Sequence, residues 1–311
     1  MRSLKAALVA CLAASISIGI GAGASAARVP TSAAPPAAAT RSAAPAVPLL
    51  VGVRAASHRS FDRVVWEFRG GVPTTRIARY VPELLADGSG EPVRIAGSAI
   101  LQLTMFQANA HDETTGRSTA PRRVVAGLGN VIEVVQSGDF EATVSYGVGL
   151  AKRQNFNLFT LRNPSRVVLD VRKDYRQATR KVWLLDQPRF NAGTPPYTRT
   201  VNRRVPAAAP AGAVLHQMFA GPTSAEAARG LRTVRSGATG FTRLTISDTK
   251  VARVYLKGGC NSGGSTFTVA NLIGPTLKQF SNVRWVKIYD PAGNTEHPTG
   301  RRDSIPECLE P

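Results

Sequence analysis

Long apolar runs are almost absent from this 311-residue sequence. No stretch after residue 26 approaches the roughly 20 apolar residues that a membrane-spanning helix needs. One uncharged run, Ala6–Gly23, follows Arg2 and Lys5 and precedes Ala24-Ser25-Ala26. This order is typical of a secretory signal peptide, so we expect residues 1–26 to direct export of the chain from the cytoplasm. A retained N-terminal anchor is the alternative.

Cysteine is scarce, with three residues in the whole chain. Cys11 lies inside the expected signal peptide, where the preceding Leu8-Val9-Ala10 leaves lipidation open as an alternative. Cys260 and Cys308 remain, and because an oxidising compartment favours their pairing, we predict a disulfide between them. The other interpretation of Cys260, a nucleophile with His297 as its base, has no support from the spacing of the two residues.

Catalytic and cofactor motifs are missing as well. The sequence has no His-Glu-x-x-His, Gly-x-Ser-x-Gly or Cys-x-x-Cys and no evident dinucleotide fingerprint. His111, beside Asp112 and Glu113, lies in a Thr-, Gly- and Arg-rich stretch, which favours a solvated turn over a metal or acid–base site. His216 has no second ligand four residues on, which favours a packed helix residue over a metal ligand. We therefore expect no catalytic residue, no metal and no small-molecule cofactor.

Acidic residues are few, 20 against 39 lysines and arginines, which gives a formal net charge of +19. The excess is largest in residues 173–311, with 20 basic against 9 acidic side chains. In an exported protein such a field meets anionic wall polymers and lipid head groups, not nucleic acid. The candidate polymer contacts are Arg122, Arg123, Arg203, Arg204, Arg301 and Arg302. Two alternatives stay open: the charge only maintains solubility, or Arg203-Arg204 only leads into the following helix.

A linker and then a β-rich region follow the expected signal peptide. Residues 27–48 are almost wholly Ala, Pro, Ser and Thr, which is typical of an extended tether. Phe61–Phe68 then alternates, with one dominant apolar face, as a half-buried strand does. Further strands are expected in Val93–Phe106 (two segments around Gly97), Val131–Gly149 (turning at Ser137-Gly138-Asp139) and Phe156–Val171 (turning at Asn163-Pro164-Ser165). Many short strands with turns predict a sandwich or barrel.

The last part of the sequence mixes helix and strand patterns. Val214, Leu215, Met218 and Phe219 form one apolar stripe of a helix over Ala211–Ala220. Gly221 suits a left-handed cap, and Thr223 with Glu226 has the spacing of a capping box, not of a phosphate-binding loop. Strands are expected at Lys181–Asp186, on both sides of Asp248-Thr249-Lys250 and at Val283–Tyr289, and a helix interrupted by Gly274-Pro275 at Ser265–Phe280. This order predicts helices packed on one side of a small sheet.

Two sets of segments resemble known families. "FDRVVWEF", "DGSGEPVRIAGSAILQL", "GDFEATVSYGVGL" and "NPSRVVLDV" are similar to the AMIN-like domain of actinobacterial exported proteins. "RRVP", "FAGPTSAEAARGL", "LTISDTKVARVYL" and "TLKQFSNVRWVKIYD" resemble the GerMN domain of spore-germination proteins and related exported lipoproteins. The first resemblance implies a β-sandwich that targets cell-envelope proteins to peptidoglycan.

Together these features predict an α+β protein of two domains. Residues 49–173 are expected to form an N-terminal antiparallel β-sandwich, and residues 174–311 a small α/β domain with a disulfide-tied tail. The expected function is non-enzymatic binding or scaffolding at the cell wall, with peptidoglycan or an anionic glycopolymer as the partner. One alternative is an assembly module that docks onto protein partners of a membrane complex. A wall hydrolase, or an accessory to one, is the other.

Overall fold

A computed structural model describes residues 47–311. The expected signal peptide and residues 27–46 of the expected linker lie outside the described residues. Among residues 47–311, no helix combines the length and the apolarity that a membrane span requires. Residues 47–311 belong to one compact unit. We call residues 47–173 the first segment and residues 174–311 the second segment of this unit; their independence as domains stays a prediction.

The first segment consists of strands, and all of its strand pairs are antiparallel. The strands are β1 Leu49–Ser57, β2 Phe61–Arg69, β3 Thr75–Val81, β4 Ala99–Phe106, β5 Arg123–Val125, β6 Val131–Phe140, β7 Thr143–Leu150, β8 Phe156–Leu161 and β9 Ser165–Arg172. They form two sheets, β1-β2-β9-β8 and β3-β4-β7-β6-β5. Both sheets contribute to one apolar core, where Trp66 of β2 meets Tyr146 of β7 edge to face.

The β6–β7 hairpin turns later than the sequence pattern predicted. The expected turn, Ser137-Gly138-Asp139, lies inside β6, and the chain reverses at Glu141 and Ala142, whose φ angles of 47° and 53° are left-handed. A bulge between Gln136 and Gly138 accommodates the longer strand. Glycine suits the bulge because a Cβ there would overlap the Asp87 carboxylate. The hairpin is thus confirmed, while the predicted position of its turn is wrong.

Only one of the two strand segments expected in Val93–Phe106 exists. Residues 93–98 are irregular because their main chain bonds to other loops and strand ends. The Val93 N–H donates to the Leu84 carbonyl oxygen at 2.7 Å, and the Ser98 N–H donates to that of Leu150 at 2.8 Å. Gly97 has φ 152°, and a Cβ there would lie 2.6 Å from the Leu150 nitrogen. The turn predicted at residues 163–165, in contrast, does separate β8 from β9.

The second segment mixes strands and short helices. Its elements are β10 Gln177–Asp186, α1 Gln187–Asn191, β11 Thr198–Pro206, α2 Pro210–Ala220, α3 Ser224–Ala228, β12 Leu231–Arg232, β13 Ala238–Ile246, β14 Val251–Gly258, α4 Ala270–Lys278, β15 Trp285–Tyr289 and a 3₁₀ helix Glu307–Leu309. Helices α2 and α3 confirm the two helices expected on either side of Gly221, and the Thr223–Glu226 capping box is present. Gly221 has φ 94° and ψ −160°, so its φ is positive but it is not a left-handed helical cap.

The second segment contains two sheets where the sequence predicted one. Strand β11 was not expected, and it pairs with β10 to give the antiparallel sheet β11-β10-β12. The other sheet is β13-β14-β15, in which β14 and β15 are parallel. Helix α2 packs on β10 and β13, and α4 packs on β10 and β15, so both helices contact both sheets. Helix α4 begins at Ala270, after the expected start, and contains Pro275.

Cys260 and Cys308 form the predicted disulfide. It joins the loop after β14 to the 3₁₀ helix, and the Ser262 N–H adds a hydrogen bond to the Cys308 carbonyl oxygen at 2.7 Å. Both half-cystines pack against the apolar core of the second segment. The bond therefore ties the C-terminal tail to that core, and it leaves no free thiol for the alternative of a nucleophilic Cys260.

Candidate functional site

The residues that carry the resemblance of the first segment have structural roles. Arg63 of β2 lies opposite Asp170 of β9, and its guanidinium donates two hydrogen bonds to that carboxylate, at 2.7 and 2.8 Å. The neighbouring Asp62 is fully buried. Its carboxylate accepts from Lys173 Nζ at 2.8 Å and from the Asn130 N–H at 2.7 Å. Because these bonds join β2 to β9 and to the start of β6, Asp62, Arg63 and Asp170 hold the strands of the first segment together.

A polar cavity of about 620 Å³ lies at the tip of the β6–β7 hairpin, and we call it the hairpin-tip cavity. The side chains used below that line it are His111, Arg122, Gln136, Ser137, Asp139 and Phe140. Phe140 is the last residue of β6 and is 68% exposed, more than the other large apolar residues of the described chain. An exposed aromatic ring therefore borders a cavity whose other side chains are polar.

His111 and Asp139 form the acid–imidazole pair of this cavity, with 2.8 Å between Nδ1 and Oδ2. The Ser137 hydroxyl is buried and has no hydrogen-bond partner within residues 47–311, so it is not bonded to the imidazole as the nucleophile of a hydrolytic triad would be. The two carboxylates beside His111 accept hydrogen bonds from neighbouring residues of the same loop. Asp112 accepts main-chain N–H groups two and three residues on, which lowers its pKa, and Glu113 accepts from the Asn109 amide at 2.7 Å. The predicted turn at Asp112 is therefore confirmed.

Helix α2 joins the second segment to the first. The Gln217 amide donates to the Leu128 carbonyl oxygen at 2.9 Å, and Nδ1 of His216 accepts from the Gly97 N–H at 3.2 Å. Ala220, at the end of the helix, packs into a small apolar cluster with side chains of the first segment. These contacts explain why the two segments form one compact unit.

One arginine from each segment covers the C-terminal end of α2, where a helix carries partial negative charge. Arg235 donates to the Phe219 carbonyl oxygen from Nε and Nη2, at 3.2 and 3.1 Å, and Arg94 reaches the same oxygen at 3.4 Å. The fully buried Glu133 lies 3.7 Å from Arg94 and accepts a hydrogen bond from Arg123. Burial lowers the pKa of Arg94 to about 10, so it remains a cation at neutral pH.

His216 is a packed helix residue of this junction, as its sequence context predicted. Its ring lies beside that of Phe241, with 4.6 Å between the centroids. Burial lowers its pKa to about 4, so the imidazole is neutral at pH 7. The proton lies on Nε2 because Nδ1 accepts from Gly97. Within residues 47–311 there is no group of three or more His, Cys, Asp or Glu side chains that could hold a metal ion.

A second cavity, of about 750 Å³, lies between the segments, and we call it the junction cavity. Its wall combines apolar side chains of β13, α2 and the turn before α2 with Lys152, Tyr175 and Arg176. No acidic side chain lines it. The two cavities therefore differ both in chemistry and in the segments that build them.

The six arginines predicted as polymer contacts differ in exposure. Arg122, Arg204, Arg301 and Arg302 are exposed, and Arg122 lines the hairpin-tip cavity. Arg123 is half-buried and bonded to Glu133. Arg203 is 5% exposed and donates two hydrogen bonds to the Glu226 carboxylate, at 2.7 and 2.6 Å. Arg203 is thus unavailable to a polymer, which corrects the prediction for this residue, while contacts by the exposed arginines stay predictions.

Residues 48–173 match the family model of the AMIN-like domain, which covers β1 to β9 completely. No curated protein and no solved structure matches the chain. AMIN-like domains are associated with cell-wall binding, so the match supports a cell-wall-related role and an extracytoplasmic location. The resemblance of the second segment to a GerMN domain and the actinobacterial origin stay predictions.

Sequence reasoning missed Phe140 and the junction cavity. The predicted turn at Ser137-Gly138-Asp139 placed Phe140 after the turn. Because the chain turns at Glu141 instead, Phe140 is the exposed last residue of β6. The junction cavity had no sequence signal, because its wall depends on how α2 packs between the segments.

Proposed function

We propose that this protein is an exported, non-enzymatic cell-envelope protein that holds wall polymer at the hairpin-tip cavity. The observation that carries the proposal is the exposed ring of Phe140 beside a polar cavity, within the segment that matches the AMIN-like domain. The match supports the wall as the compartment, and the cavity supplies the chemistry for one of its polymers.

The chemistry of the cavity suits a sugar chain. The C–H groups on one face of a sugar ring are weakly positive and pack against the negative face of an aromatic ring such as Phe140. Sugar hydroxyls both donate and accept, and they can meet the guanidinium of Arg122 and the carboxylate of Asp139, which line the same cavity. Anionic groups along the polymer would meet the positive charge of the protein surface.

Binding without hydrolysis is the second part of the proposal. His111 and Asp139 could activate a hydroxyl group, but the hydroxyl of Ser137 is buried and has no partner. We expect the imidazole to donate to a sugar or peptide oxygen instead. Incubation with purified cell wall should release no soluble muropeptides; their release would restore the hydrolase alternative.

A co-sedimentation assay with purified cell wall tests the proposed site. Phe140→Ala should weaken wall binding about five- to tenfold, because the stacking surface is lost. Ile77→Ala is the matched control: Ile77 is 49% exposed on β3 and lines neither named cavity. Binding should also weaken as salt is raised, because exposed charges are screened. Equal binding by the two variants would move the polymer site away from Phe140.

A further inference from the structure

The junction cavity has the size of a small-molecule site. Its volume of about 750 Å³ falls within the range usual for ligand pockets, which is about 300–1,000 Å³. It is separate from the hairpin-tip cavity: the two share no lining residue. Its wall needs both segments, with Ser98 and Ala151 from the first and most of the rest from the second.

The second segment supplies an apolar wall. Phe241, Leu244 and Ile246 of β13 all line the cavity, although their spacing does not alternate evenly. A bulge between Phe241 and Arg243 explains this, because the extra residue brings the three side chains to one face. All three are only half-buried, and they pack against the core of the second segment with one side. The other side is left open to the cavity.

Small residues keep the cavity open. The first turn of α2 and the turn before it contribute Ala208, Ala209, Ala211, Gly212 and Ala213 to the lining. A Cβ added at Gly212 would meet no atom within 4 Å. The space beside this helix turn is therefore unfilled by the protein's own side chains.

Two cationic side chains also belong to the lining of the cavity. Lys152 Nζ lies 5.7 Å from the centroid of the Tyr175 ring, and the Tyr175 hydroxyl donates to the Gly129 carbonyl oxygen at 3.0 Å. The Lys152 main-chain N–H donates to the side chain of Asn130 at 3.0 Å, which fixes the start of the lysine side chain. Arg176, next to Tyr175, also lines the cavity. Within residues 47–311, neither Lys152 nor Arg176 forms a salt bridge.

We propose that the junction cavity binds a single-chain anionic lipid, with its acyl or prenyl chain along β13 and α2 and its phosphate or carboxylate head at Lys152 and Arg176. Charge complementarity argues for this occupant, because two cations without a salt-bridge partner among residues 47–311 line a cavity to which those residues contribute no acidic side chain. A free inorganic anion would leave the apolar wall in contact with water. A neutral chain would leave both cations without a counter-charge. Only a molecule with both parts satisfies the two sides of the wall.

Calorimetric titration of the purified protein with n-dodecyl phosphate, below its critical micelle concentration, tests the proposal. Inorganic phosphate supplies the head alone, and n-dodecyl maltoside supplies the chain with an uncharged head. We expect n-dodecyl phosphate to bind at least tenfold more tightly than either. Equal affinity for n-dodecyl phosphate and the maltoside, or no binding of n-dodecyl phosphate, would overturn the proposal.

Variants locate the binding within the cavity. Gly212→Leu fills the open space beside α2 and should weaken n-dodecyl phosphate binding at least tenfold, while leucine favours the helix more than glycine does. Gly274→Leu in α4 is the matched control, because a Cβ there also meets no atom within 4 Å and the residue does not line the cavity. Lys152→Gln with Arg176→Gln should weaken binding of the phosphate and leave that of the maltoside unchanged. A Gly212→Leu protein that melts like wild type and binds like wild type would place any lipid site elsewhere.

Discussion

The hairpin-tip cavity and the junction cavity differ in origin as well as in chemistry. The first is built by one hairpin and the nearby loops of the AMIN-like segment, and it is polar with one exposed aromatic ring. The second needs both segments, and it is mainly apolar with Lys152 and Arg176 in its lining. A site made by one domain can occur wherever that domain occurs. A site between two segments exists only where the two are joined in this way.

This difference separates what the AMIN-like match explains from what it does not. The match supports association with the cell envelope, and the hairpin-tip cavity lies entirely within the matched segment. The junction depends on α2, which bonds to the first segment through Gln217, and on Arg94, which reaches the Phe219 carbonyl oxygen from the first segment. Changes at the junction should therefore affect stability and the second ligand, and changes at the hairpin tip should affect only wall binding.

The largest effect on stability is expected from the buried Arg203–Glu226 pair. Burial alone would raise the pKa of Glu226, but hydrogen bonds from Arg203 and Thr223 outweigh it and lower the pKa. Arg203→Ala leaves that carboxylate buried without its cation, so we expect a loss of about 3–5 kcal/mol in the free energy of unfolding, measured by urea denaturation. Arg204→Ala, the exposed neighbour, should change it by less than about 0.5 kcal/mol. Equal effects of the two would show that the pair is not a buried one.

A smaller loss is expected from the disulfide. Replacement of Cys260 and Cys308 by serine releases the tail across a sequence separation of 48 residues, which should cost about 2–4 kcal/mol and lower the melting temperature. The disulfide lies in the second segment, and neither Cys260 nor Cys308 lines either named cavity. Wall binding at low temperature should therefore persist. Loss of wall binding in a folded variant would tie the polymer site to the tail.

The pH dependence of stability should reveal His216 at the junction. Its pKa is about 4 in the folded protein, below the usual 6.5, so the unfolded chain binds the proton more readily. His216 therefore contributes stability above pH 6.5, and this is lost as pH falls from about 6.5 to about 4. The loss should be at most about 3 kcal/mol, because the side chain is only half-buried.

Denaturation at pH 7 and pH 4.5 measures this contribution. Wild type and His216→Gln should differ in how much stability they lose between the two pH values, with the smaller loss in the variant. His58→Gln, at an exposed position of the first segment, is the control and should lose as much as wild type. The same loss in all three proteins would exclude a titrating imidazole at the junction.

The fold was predictable where one face of a strand or helix dominates. Strand β2 alternates between buried and less buried residues except at Val65, which is also buried, and α2 carries a continuous apolar stripe. Strands β3 and β11 were missed because both are edge strands whose exposed positions, apart from Ile77 of β3, carry charged or polar side chains. Such strands lack the apolar alternation that marks a half-buried strand. Their pairing is decided by neighbours far away in the sequence.

The candidate sites were less predictable than the fold. Arg203 and Arg204 are adjacent arginines on β11, so their side chains point to opposite faces of the strand. The register of β11 turns Arg203 inward to Glu226 and leaves Arg204 exposed. The capping box did predict the position of Glu226, but not that its carboxylate would also accept from an arginine. Phe140 was hidden by a turn placed a few residues too early. Each error concerns the direction of a side chain, which depends on register and packing.

The most direct measurement of the central claim is a nuclear magnetic resonance titration of the isotope-labelled protein with soluble fragments of purified cell wall. If wall polymer is held at the hairpin-tip cavity, the amide shifts that change most should belong to Arg122, Gly138, Phe140 and Glu141, and Phe140→Ala should weaken these changes. Amides around the junction cavity should stay unchanged. Saturable binding with no shift at the hairpin tip would contradict the account.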